Sequence, residues 1–63
     1  MSNAAPVTRE ELLFTARLLR QQADRLLHAA MRADTEERIR DIEAARDLER
    51  RAEQMEKEAE AMR

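Results

Sequence analysis

Residues 30–37, Ala30-Met31-Arg32-Ala33-Asp34-Thr35-Glu36-Glu37, decide how this chain folds. Upstream, Leu12, Ala16, Leu19, Ala23, Leu26, Ala30 and Ala33 recur at alternating spacings of four and three, the seam of a coiled coil in which large and small residues alternate. Leu13, Leu27 and Met31 widen that seam on one flank. Carried past Ala33, the same spacing calls for apolar residues at Glu37, Arg40, Ala44, Asp47, Arg51 and Gln54, so the phase is lost. A new seam starts downstream at Ala45, Leu48, Ala52, Met55, Ala59 and Met62. Between the two, Asp34 and Glu37 stand three apart, the spacing of a capping box, with Thr35 as an alternative cap. A turn at 33–35 explains both the lost phase and the second cap, whereas a skip residue in one continuous helix explains only the first.

The first helix has start signals of its own. Thr8 and Glu11 repeat the capping-box spacing, Val7 and Leu12 occupy the two positions of a hydrophobic staple, and Pro6 closes the segment before them. The expected organisation is a flexible leader over residues 1–7, with Ser2-Asn3-Ala4 read as native, followed by a helical hairpin over 8–63. Within it helix 1 spans about 9–32, the turn about 33–35 and helix 2 about 35–62.

Sixty-three residues make a small domain, which leaves much of its apolar surface wet unless disulfides, a metal or oligomerisation help. With no Cys and a single His, His28, only the last route is open. Glycine is absent and 41% of residues are charged beside 43% hydrophobic, the balance of amphipathic helices rather than strands or a disordered tail. The net charge of −2 hides a split: residues 1–33 carry +2 and residues 34–63 carry −4. Opposite mean charge favours the helices lying side by side, modestly and subject to salt.

These observations predict an all-α fold, a two-helix antiparallel hairpin that dimerises into a four-helix bundle. Apolar surface is left over for the purpose. Phe14 and Leu18 project roughly opposite the Leu12/Leu19 seam, and Ile39 and Ile42 are out of phase with the Ala45/Leu48 seam, so these residues form either a second interface or a local plug around the turn. The residues expected at an oligomer or partner interface are Leu12, Phe14, Leu18, Leu19, Leu26, Ile39, Ile42, Leu48 and Met55.

Chemistry finds less support. Asp24 lies one turn before His28, but two ligands do not make a metal site, and Arg25 stands where the Glu-x-x-His signature of di-iron bundles needs a carboxylate. The acids from Glu43 to Glu60 are interleaved with Arg46, Arg50, Arg51 and Lys57. Pairs such as Glu36/Arg40, Asp47/Arg51 and Glu53/Lys57 have the i,i+4 spacing of a solvated helix face. No nucleophile motif or glycine-rich loop is present, so no catalytic, cofactor-binding or metal-binding residue is expected and an enzyme is not.

The expected function is a small homo-oligomeric protein–protein interaction module, a scaffold, adaptor or regulator that presents helix faces to a protein partner. The alternative is a nucleic-acid-associated protein using the basic flank Arg17, Arg20, Arg25 and Arg32, which the acids of helix 2 oppose and no aromatic platform supports. No run approaches the ~20 apolar residues of a membrane helix, and one aromatic is thin material for an interfacial one, so no membrane partner is expected and the default location is the cytoplasm.

The runs Phe14–Ala23, with Ala16, Leu19, Arg20 and Ala23, and Ala45-Arg46-Asp47-Leu48-Glu49-Arg50-Arg51-Ala52-Glu53 resemble a group of very small uncharacterised helical-hairpin proteins of alphaproteobacteria. Members of that group often carry an aromatic where this chain has Leu48. The resemblance implies the hairpin fold and brings no activity with it.

Overall fold

The computed structural model describes residues 7–62. They form two helices and no strand: α1 is Arg9–Ala30 and α2 is Thr35–Ala61. At 1.5 Å per residue the helices run about 33 and 40 Å, and they pack as an all-α hairpin whose longest dimension is 44 Å. The leader expected over residues 1–7 falls, apart from Val7, outside the described residues.

Both helix starts are set by short side chains in extended backbone. Thr8 (φ −84°, ψ 161°) accepts the Glu11 N–H on its hydroxyl at 3.1 Å. Asp34 (φ −71°, ψ 176°) accepts the Glu37 N–H on its carboxylate at 3.0 Å. Each satisfies one of the N–H groups a helix start leaves without a partner. Glu10 and Glu11 in the first turn of α1, and Glu36 and Glu37 in that of α2, add negative charge where the helix dipole favours it. Of the two candidate caps at the turn, Asp34 is the one used, and Thr35 is the first helical residue.

α1 stops at Ala30, two residues before the expected end. Met31, Arg32 and Ala33 donate their N–H groups to the carbonyls of His28, Ala29 and Ala30 at 3.3, 3.0 and 3.3 Å, so the last turn tightens to i→i−3 bonding. A chain without glycine has no inexpensive left-handed residue with which to close a helix, and no described residue has positive φ.

Arg38, in the first turn of α2, completes the closure. Its Nε donates to the Ala30 carbonyl at 2.9 Å and its Nη2 to the Ala33 carbonyl at 3.2 Å. The last carbonyl of α1 and the Ala33 carbonyl of the turn thereby gain a cationic donor, and the start of α2 is tied to the end of α1.

The core is a double row of alanines. Ala16, Ala23 and Ala30 of α1 and Ala45, Ala52 and Ala59 of α2, spaced by seven, are 0–3% exposed. Methyl side chains at the seam allow the axes to approach closely, and each contributes only about 0.8 kcal/mol of burial. Leu12, at 9%, is the one large side chain among the described residues buried with them. Leu19, Leu26, Leu48 and Met55 are half-buried, and no large side chain among the described residues is fully enclosed.

Candidate interaction surface

The alanine rows divide the hairpin into two broad faces. Each residue advances 100° around a helix, so the residue three after an alanine lies about 60° to one side of it and the residue four after lies about 40° to the other. The first set is Leu19, Leu26, Leu48 and Met55, all half-buried. The second is Arg20, Leu27, Glu49 and Glu56. One face of the hairpin therefore holds the half-buried leucines and Met55 beside the seam, and the other mixes Leu27 with the charged Arg20, Glu49 and Glu56.

On the charged face, Arg20 and Glu56 join the helices through a bidentate pair, Nη2 to Oε1 at 2.6 Å and Nε to Oε2 at 2.9 Å. Hydrogen bonding to Arg20 holds the Glu56 carboxyl below its ordinary range. The same bond, reinforced by the charges of Glu56, Glu49 and Glu53, raises Arg20 further. The pair borders an open hollow of about 660 Å³ lined by Leu13, Arg17, Gln21, Asp24 and Glu49. Nearer the turn a second, more apolar hollow of about 500 Å³ is lined by Leu27, Ala30, Met31, Arg38 and Ile42. Both are shallow and open to solvent, the form of a groove between helices rather than of an enclosed ligand pocket.

The nine residues expected at an interface fall into separate groups. Leu12, Leu19, Leu26, Leu48 and Met55 share the seam and its apolar face. Ile42 lies on the opposite face, in the hollow with Leu27 and Met31. Phe14 and Leu18, 57% and 42% exposed, lie on the outer edge of α1 away from α2. Ile39 is exposed close to the turn, whereas Phe14 precedes Ala30 by about 24 Å of helix. The structure does not bring the Phe14/Leu18 and Ile39/Ile42 pairs into one patch. Sequence reading treated them alike because each is out of phase with its own seam, but being out of phase does not say on which side.

Of the candidate chemical residues, Asp24 and His28 meet as neighbours on one helix and gather no third ligand among the described residues. His28 Nδ1 lies 2.8 Å from the Asp24 carbonyl oxygen and 3.6 Å from its carboxylate, with both side chains more than two-thirds exposed. No group of three potential metal ligands occurs among the described residues. Asp47 pairs with Arg51 at 3.1 Å and reaches Arg50 at 3.8 Å. Glu36/Arg40 and Glu53/Lys57 form no ion pair among the described residues.

The basic flank of α1 is divided as well. Arg20 is held by Glu56, Arg17 lines the same hollow, and Arg25 and Arg32 border a small depression on the outer edge with His28. No helix among the described residues is long and apolar enough to cross a membrane. Comparison with protein-family models, curated proteins and solved structures gives no match.

Proposed function

We propose that the protein is a small homo-oligomeric protein–protein interaction module of the cytoplasm, a scaffold, adaptor or regulator with no catalytic centre. One observation carries the reading: among the described residues the hairpin encloses alanines and, Leu12 apart, leaves its large apolar side chains half-buried or exposed. Leu19, Leu26, Leu48 and Met55 form a continuous half-buried strip along both helices. Most helical stability in proteins comes from packing such a strip, not from helix propensity. A second hairpin on that face makes the four-helix bundle in which the strip becomes core.

Kinship with the alphaproteobacterial hairpin proteins that the chain resembles is part of the same proposal. The runs that carry the resemblance contain Ala16, Ala23, Ala45 and Ala52, four of the six alanines at the closest approach of the helices.

Replacing Leu19 and Leu48 together by Glu places charge in the strip while keeping good helix formers. The expected outcome is loss of the oligomer in light scattering coupled to size exclusion, with a large fall in helicity. An unchanged oligomer would mean that the strip is not its interface.

A further inference from the structure

Resting on the homo-oligomeric reading above, we infer that a second copy of this chain covers the apolar face with its turn at the same end, so that each α1 lies between its own α2 and the α2 of the second copy. On this face the positions of α1, continued into the turn, are Leu12, four before the first seam alanine, and those three after and just before each seam alanine: Thr15, Leu19, Gln22, Leu26, Ala29 and Ala33. None carries a charge. The equivalent row of α2, Asp41, Ala44, Leu48, Arg51, Met55, Glu58 and Met62, carries two acids against one base, a net −1.

Two-fold symmetry offers two ways to stack the hairpins face to face. A rotation axis across the helices lays α1 on α1 and α2 on α2 with the turns at opposite ends. It sets one acidic row on another, inside a residue range that carries −4 as a whole. A rotation axis along the helices lays α1 on the α2 of the second copy with the turns together. The uncharged row then meets the acidic row in both halves of the dimer, and the range carrying +2 meets the range carrying −4.

The second arrangement also matches polar groups. Rotation about an axis along the helices preserves height, and within one hairpin the heights are bounded by the Arg20–Glu56 pair and by Arg38 on Ala30. Thr15, Gln22 and Ala29 therefore come within about one turn of Glu58, Arg51 and Ala44 of the second copy. A hydroxyl faces a carboxylate, an amide faces a guanidinium, and the two alanines allow close approach. The size is adequate: a face about 33 Å long and about 20 Å wide is of the order of the ~800 Å² per partner of a stable interface.

The chain has no cysteine, so Arg32→Cys gives one spin-label site per copy, in the exposed turn. Pulsed dipolar spectroscopy of the labelled full chain is expected to give one main distance below about 30 Å, roughly two helix diameters plus the label arms. A main distance near or beyond the 44 Å length of the hairpin places the turns at opposite ends and overturns the inference while leaving homo-oligomerisation intact. Absence of dipolar coupling at concentrations where the chain is folded removes both, and points to a different polypeptide as the occupant of the face.

Discussion

Arg38 shows how one side chain can close a glycine-free turn. It donates to the Ala30 carbonyl, which also accepts the Ala33 N–H, and to the Ala33 carbonyl in the turn, and a guanidinium fork can do so where an ammonium cannot span both acceptors. Arg38→Ala is expected to cost about 1–2 kcal/mol in chemical denaturation, and Arg38→Lys should recover only part of it. An Arg38→Ala chain as stable as the parent would show that water serves those carbonyls equally well. Glu56 gives a prediction in pH. Its pKa is lowered in the folded state by Arg20, so its contribution is present above the ordinary value of 4.5 and is lost as pH falls through the lower folded value. The stability difference between the parent and Glu56→Gln should therefore be present at neutral pH and vanish in acid. A difference that grew in acid would have the wrong sign. Thr8 and Asp34 were legible in the sequence because capping is local, three residues from acceptor to donor. Arg38 was not, since its partners are set by the path of the turn.

At the scale of the element, the spacing of seven explains both the close approach of the helices and its cost. Six alanines at 0–3% exposure draw α1 and α2 together, and the residues three positions on are pushed out to one side. The heptad pattern made the seam readable, and the lost phase after Ala33 made the turn readable. It could not rank the alanines above the leucines, because seam position alone does not say which of two alternating residues takes the closest contact. Ala52→Leu forces that contact open and is expected to destabilise the hairpin by about 1–3 kcal/mol despite the added apolar surface. A stabilised variant would mean that the helices are held apart by the leucines after all. Phe14, Leu18, Ile39 and Ile42 were found as off-seam residues, but their separation onto an outer edge and an opposite face emerges only once the two helices are laid against each other.

At the scale of the molecule, the alanine core limits what a single hairpin can gain. Conformational entropy is lost by every ordered residue, and the burial that offsets it scales with enclosed apolar area. Methyl groups supply little of that area, while the leucines and methionines that could supply more stand half in water. In the proposed dimer a second copy on the apolar face would enclose them without altering either helix, so that folding and assembly would be a single event. Chemical unfolding followed by helicity at several chain concentrations tests this most directly. Coupled folding and dimerisation predicts that apparent stability rises by about 1.4 kcal/mol per dimer for each tenfold rise in concentration. A midpoint independent of concentration, together with a monomeric mass in light scattering, would contradict it.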